Sequence, residues 1–167
     1  MTAVTGAPGN TVRSALWWMM GSAAYATWMT GAALALTLAI GGGSLVAVAR
    51  DIDALALGDE AAAALGVNVD RAAPRIYLLA SLVAAATVAA VGLVGFVGLI
   101  VPHVVRAVGI RRHRTLLLGA AVVGATLVIA ADTVARVALP PAELPLGAVT
   151  AILGVPFFLA QLRRFRA

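Results

Sequence analysis

Residues 76–105 read IYLLASLVAAATVAAVGLVGFVGLIVPHVV and contain no Asp, Glu, Lys or Arg. A bilayer core is crossed by about 20 apolar residues in a helix. Thirty residues would rise about 45 Å as one helix, too long for one comfortable span. Gly92, Gly95 and Gly98 lie two-thirds of the way along and offer a break. The stretch therefore reads as one full span, a tight glycine turn and a second, shorter apolar helix ending at Pro102-His103. Irregular backbone at membrane depth is tolerated where it is buried in protein or lines a water-filled cavity. This pattern predicts an all-α, polytopic membrane bundle that takes part in transport.

The sequence upstream has the same character. Residues 14–49 carry no charged side chain. Trp17, Trp18, Tyr25 and Trp28 cluster in its first half. Such clusters suit a membrane–water interface, although ordinary core aromatics would look the same. A short interfacial helix and loop is expected over 15–28, and a first span over about 30–49. Gly41-Gly42-Gly43 should weaken or bend that span. Residues 1–14 are polar, with Arg13 as their one basic group, and are expected to form a disordered tail. They lack the basic region, short apolar core and cleavage site of a signal peptide.

Residues 50–75 form the one long polar segment, RDIDALALGDEAAAALGVNVDRAAPR. Asp59 to Leu65 has a helical composition, with Asp59 and Glu60 in the first turn where negative charge suits the helix dipole. Gly66 is the expected stop, and Pro74 the expected first-turn residue of the next span. One or two short amphipathic helices are expected here. Beyond residue 105 comes a basic cluster of Arg106, Arg111, Arg112 and Arg114, with His113 among them as a loop residue. An apolar run from 115 to 131 begins another span, with Asp132 and Arg136 at its far end. A turn follows at 139–145, and the last span occupies about 146–162 with Gly154 and Pro156 inside it.

Composition agrees. Hydrophobic residues make up 62% and charged residues 11%, against about 25% charged in soluble domains. Cys is absent, which excludes disulfides and thiolate metal sites. All twelve basic residues are Arg, and the net charge is +5. No nucleic-acid motif accompanies that charge, so it reads as cytoplasmic-loop bias. Ten of the twelve Arg fall in loop 50–75, loop 106–114 and the tail from 163, which would share one side. Arg13 and Arg136 would face the other. The result is five spans with the N-terminus outside and the C-terminus cytoplasmic. An odd count with an external start suits the C-terminal half of something larger.

Several stretches together resemble the permease subunit of type II ABC importers, the iron–siderophore, haem and cobalamin uptake family. They are LALGDEAAAALGVNVDR (55–71), GLVGFVGLIVPHVVRAVG (92–109), HRTLLLGAAVVGATLVIAADTVAR (113–136) and PAELPLGAVTAILGVPFFLAQLRR (141–164). LWWMMGSAAYATW (16–28) is similar to the segment before the sixth span of those permeases. The likeness covers about residues 16–165, and residues 1–14 do not match. It implies a partial permease domain over 15–167, equivalent to spans six to ten of a ten-span subunit. It also implies a bacterial plasma membrane location and a ferric siderophore as cargo, moved by alternating access. Implied partners are an ABC ATPase, a periplasmic or lipoprotein binding protein, a second permease subunit in a homo- or heterodimer, and a separately encoded N-terminal half. ATP and Mg would be bound by the ATPase.

The resemblance also implies roles for particular residues. Leu57, Gly58, Asp59, Glu60 and Ala61, with Leu65, Gly66 and Val67, match the cytoplasmic coupling helices that dock into the ATPase. A solvated connector is the simpler alternative. Asp132 and Arg136 are four apart in the favourable order for a helix ion pair. They read as a structural pair, or Arg136 meets acidic residues of the binding protein, with Glu143 a competitor for it. Pro102 and His103 match a Pro-His pair of the family, and hydrogen-bonded packing would explain His103 equally. Gly92, Gly95 and Gly98 permit turns or close helix approach. Gly154 and Pro156 should bend the last span. Helix packing is favoured over substrate contact for both sets.

No catalytic residue, metal site or cofactor is expected in this chain. There is no GxxxxGK[ST] loop and no Lys, so ATP must be handled elsewhere. No Ser/His/Asp or Cys/His arrangement suggests an enzyme. Two other readings stand beside the permease. One is a truncated, non-transporting fragment or assembly module. The other is a small ion-coupled exporter, which would need Asp132 as its intramembrane carboxylate.

Overall fold

Helix follows helix from residue 28 onward in the structure, a computed structural model that describes residues 16, 18–22, 26–138 and 144–164, with side chains as far as residue 161. Expectations that rest on residues 1–14, Trp17, Tyr25, Pro140, Pro141, Glu143 or Arg166, and on the side chains of Arg163 and Arg164, lie outside that range. The elements are α1 (Trp28–Ala47), α2 (Ala49–Leu55), α3 (Asp59–Ala64), α4 (Val69–Val91), α5 (Val97–Ala107), α6 (His113–Val137) and α7 (Leu146–Arg164). No strand occurs among the described residues. Three helices, α1, α4 and α6, are long and apolar enough to cross a membrane. The other two apolar helices, Val97–Ala107 and Leu146–Gln161, are shorter than the five-span expectation required.

Each start has a local cause. Thr27 caps α1, its hydroxyl accepting from the Thr30 N–H at 3.2 Å. Trp28 therefore opens the span instead of ending an interfacial helix, and at 97% exposure it stands clear of the protein. Within α1 the helix widens to a π-turn over Leu38–Gly42. Glycines tolerate this turn, and Gly41 brings the backbone against Val83 of α4 where a Cβ would not fit. Ser44 and Thr37 return their hydroxyls to the carbonyls four residues back, Ile40 at 2.6 Å and Ala33 at 2.9 Å. Polar groups in an apolar helix are satisfied in this way.

Asn68 caps α4, accepting from the Arg71 N–H at 3.2 Å. This start puts Pro74 well inside the helix, not in its first turn as expected. Pro74 removes the donor that would have reached the Asp70 carbonyl. None of the 23 residues of α4 is buried, and Tyr77 and Leu78 are about 70% exposed. A helix this apolar with no buried face is one built for lipid or for neighbouring membrane helices.

The core lies on the other side, among α5, α6 and α7. Val101 and Val105 of α5 pack with Leu116 of α6. Ala131 and Ala135 of α6 pack with Leu146 and Val149 of α7. Small residues on α6 let the backbones approach, as in membrane helix pairs generally.

Candidate functional site

Two features combine irregular backbone with placed polar groups, one at each end of α6. The first is the polar loop between α1 and α4. α2 follows α1 after a bend at Val48, and α3 follows α2 after three residues that end at Gly58. Gly58 has φ +103, open to glycine and little else. Asp59 and Glu60 occupy the first turn of α3 and are exposed, as are Leu57 and Leu65. α3 ends in a Schellman motif: the Gly66 N–H donates to Ala63 O at 2.9 Å and the Val67 N–H to Ala62 O at 3.0 Å. Gly66 supplies the required left-handed residue at φ +87. Ala62 is fully buried and Ala61 half-buried, so the inner face of α3 is fixed while its acidic and apolar outer face stays free. Beside α3 lies a cavity of about 810 Å³ lined by Val48, Arg50, Asp51, Val67, Arg71 and Arg75.

Asp53 ties this loop to α6. Its Oδ1 accepts from the backbone N–H of His113 at 3.0 Å and lies 2.7 Å from the ring Nδ1 of the same residue. An oxygen that accepts requires Nδ1 to carry the proton. His113 is thus the first residue of α6, not a loop residue. The backbone hydrogen bond from His113, then its ring, hold the Asp53 carboxyl below the usual 3.8, and Arg112 adds to the effect. Because the folded value is depressed, the tie is intact above the ordinary aspartate range and is lost as pH falls through the lowered folded value. The Asp53 carboxyl carbon resonance, assigned by Asp53→Asn, should titrate below 3.8. A midpoint at or above that value would contradict the hydrogen-bonded carboxylate.

The second feature is the break between α4 and α5. Gly92 takes φ +76 and ψ −164, a conformation open essentially to glycine alone. A Cβ there would collide with the Trp18 carbonyl. The segment 18–22 lies against this break: the Ser22 N–H donates to Val91 O at 3.0 Å, and the Leu146 N–H donates to Gly21 O at 3.0 Å. The Gly147 N–H donates to Met20 O at 3.1 Å. The end of α4 and the start of α7 thus find partners for groups that a helix terminus leaves unsatisfied. Gly21 and Gly147 permit the approach, since a Cβ on either would meet a carbonyl oxygen at 2.6 Å.

Of the three glycines expected to form the break, Gly92 makes the turn, while Gly95 follows it with open space where a side chain would be. Gly98 belongs to α5, also with open space. The residue that reverses the chain into α5 is Phe96, at φ +63. Its ring covers Gly154 of α7, where any Cβ would overlap it. α5 continues past Pro102-His103 to Ala107, so the expected end at that pair is corrected. Proline removes one backbone bond, but the packing of Val101 and Val105 carries the helix through. The His103 ring meets the Leu99 carbonyl at 2.9 Å and the Phe157 ring edge-on at 6.0 Å. α7 runs unbroken in secondary structure through Gly154 and Pro156. Asp132 and Arg136 pair at the end of α6 near this break, with Nε donating to Oδ2 at 2.8 Å. Among the described residues no three His, Asp or Glu side chains gather as a metal site would require.

Nothing in the sequence marked Phe96, Gly21 or Gly147 for these roles. One hint existed for Asp53: a long helix opening after Arg112, which offers no side-chain cap of its own.

Comparison with known proteins agrees with this arrangement. The model of the FecCD transport family matches residues 1–164, so the expectation that residues 1–14 stand outside the likeness is corrected. The cobalamin import permease BtuC of Halobacterium salinarum is 43% identical over 93% of this chain and 42% of its own length. The hemin transport permease HmuU of Yersinia pestis is 45% identical over 89% of this chain and 45% of its own. A solved metal-chelate type ABC transporter in an inward-facing conformation superposes with a TM-score of 0.83 at 33% identity, covering 95% of this chain and 51% of that one. The chain therefore spans about half the length of the relatives it matches. With a family model matched along nearly its whole length, this chain belongs to the FecCD transport family.

Proposed function

We propose that the chain supplies spans six to ten of a ten-span permease in an ATP-driven importer, with a ferric siderophore as cargo. In this reading α1, α4 and α6 are full spans, the shorter apolar helices α5 and α7 take the places of the other two, and α3 with its flanking residues Leu57, Gly58, Leu65, Gly66 and Val67 is the surface that docks into a separate ATPase. The observation that carries the reading is the α2–α3 pair itself: two short helices held between two spans, with an exposed acidic turn, in a loop rich in Arg. A short rigid helix joined to membrane helices can pass a rigid-body movement into them. In this reading that loop, the 106–114 cluster and the C-terminus are cytoplasmic, which the Arg distribution supports. Hydrolysis of ATP belongs to the partner, and this chain needs no cofactor of its own.

The relatives are named for cobalamin, hemin and Fe(3+) dicitrate transport, the last being FecD of Escherichia coli at 47% identity. Iron chelates fit the wide path that small Ala, Gly and Val side chains would leave. Vesicles holding the complete transporter, offered labelled ferric siderophore, haem and cobalamin in parallel, test the cargo. Uptake of the ferric siderophore alone is expected; uptake of only haem or cobalamin would reassign it.

Arg136 would face the extracytoplasmic binding protein, its guanidinium oriented by Asp132. Replacing a rim charge by its opposite places like charges together and costs several kcal/mol. Arg136→Glu should weaken binding-protein docking at least about tenfold while membrane insertion is unchanged. Unaltered docking in a pull-down would leave Arg136 with only its structural pairing.

A further inference from the structure

Among the described residues, one side chain of the α2–α3 loop makes a hydrogen bond to a different membrane helix, and it is Asp53. We propose that Asp53 is a positioning residue that carries movement of the loop into α6, by holding the first residue of that helix through two hydrogen bonds on a single carboxylate oxygen. The proposal rests on the ATPase-docking reading of α3.

The geometry supplies each link. Asp53 sits in α2, and three residues separate α2 from α3. Buried Ala49 and Ala54 fix α2 against its neighbours, and α2 packs directly on α6. α6 lacks a side-chain cap from its own flanking residue. Asp53 provides one from 60 positions away, placing a negative charge at a helix N-terminus where it is favoured. The bond is therefore directional at both ends: Asp53 orients α6, and the α6 dipole orients Asp53.

α6 is 25 residues long and about 37 Å from end to end. Its far turns hold Ala131 and Ala135 against Leu146 and Val149 of α7, with Val94 of the α4–α5 break packed beside them. A shift of α2 transmitted to His113 thus reaches the glycine junction of Gly21, Gly92 and Gly147 along one continuous helix. The Asp53 bonds add a directional tie to the packing of α2 on α6.

The test uses the complete transporter in proteoliposomes and reads cargo molecules moved per ATP hydrolysed. Coupling energies between sites correspond to fold-changes of about 5–150. Asp53→Ala should retain the ATPase at wild-type stoichiometry and lower the ratio at least about fivefold. Asp53→Asn, whose amide oxygen accepts the same two bonds, should recover most of it. His113→Ala keeps the peptide donor and should fall between. The chain has no Cys, so Cys placed at both 53 and 113 is the one pair this chain can supply, its closure checked by loss of both free thiols on oxidation. Oxidising that pair should raise the ratio and reducing it should lower it again, which decides the matter even if Asp53→Ala is not recovered from membranes. A ratio unchanged in Asp53→Ala, or in the Cys pair between oxidised and reduced forms, with the ATPase still bound, would overturn the role of Asp53 alone. Failure of the wild-type chain to retain the ATPase would overturn the docking reading, and this role with it.

Discussion

Gly92→Val should remove a large part of the folded protein's stability, whereas Gly95→Val three residues later should leave it nearly intact. Both glycines lie in the short break between α4 and α5, yet their surroundings differ. At Gly92 the backbone is held at φ +76 and ψ −164, and a Cβ would overlap the Trp18 carbonyl. Strained backbone of this kind costs about 1–3 kcal/mol, and overpacking against a fixed group adds about 1–3 more. The total is a large part of the 5–15 kcal/mol that typically holds a domain together. Relief would require the 18–22 segment to leave, which would free the Val91 and Gly21 carbonyls from their partners Ser22 and Leu146. At Gly95 nothing lies within 4 Å of the added carbon. The measurement is the monodisperse fraction surviving detergent extraction and heating. Equal behaviour of the two variants would mean that the junction does not hold the break in place.

Reversing charge at Asp59 and Glu60 together, as Asp59→Arg with Glu60→Arg, should eliminate association with the ATPase. α3 itself should survive. Positive charge at a helix N-terminus costs about 0.3–1 kcal/mol per group, while Gly58, the Schellman motif at Gly66 and buried Ala62 are untouched. Two reversed charges at a docking surface, by contrast, cost several kcal/mol, enough for a loss of more than about 100-fold in affinity. Asp70→Asn is the control: it removes an acid from the same loop but lies in the first turn of α4. Retention of the ATPase by the doubly reversed variant would exclude the acidic turn from the interface.

What the sequence made legible was local. The acidic first turn of α3 and its stop at Gly66 follow from a few adjacent residues, and both stand where expected. The Asp132–Arg136 bond is a four-residue spacing on one helix. The break after residue 91 follows from the length of an apolar run exceeding a bilayer. Boundaries were less legible because several signals compete. Pro74 suggested a helix start, but Asn68 caps the helix earlier and one lost backbone bond does not outweigh that cap. Pro102 suggested an end, but the apolar packing on either side of it prevails. Tertiary partners were illegible. Asp53 is one of five acids in its loop, and nothing nearby marks it for a histidine 60 residues on. Phe96, and not one of the glycines near it, carries the left-handed turn into α5, and its ring covers Gly154, a contact no glycine can make.

Co-purification tests the central claim most directly. The chain is expressed in membranes with its candidate ATPase, with and without a separate N-terminal half, and extracted in detergent. A complex of all three is predicted, stable enough to survive extraction and dependent on the α2–α3 loop. Absence of a complex under both conditions would contradict the permease reading and leave the family relationship as a record of ancestry.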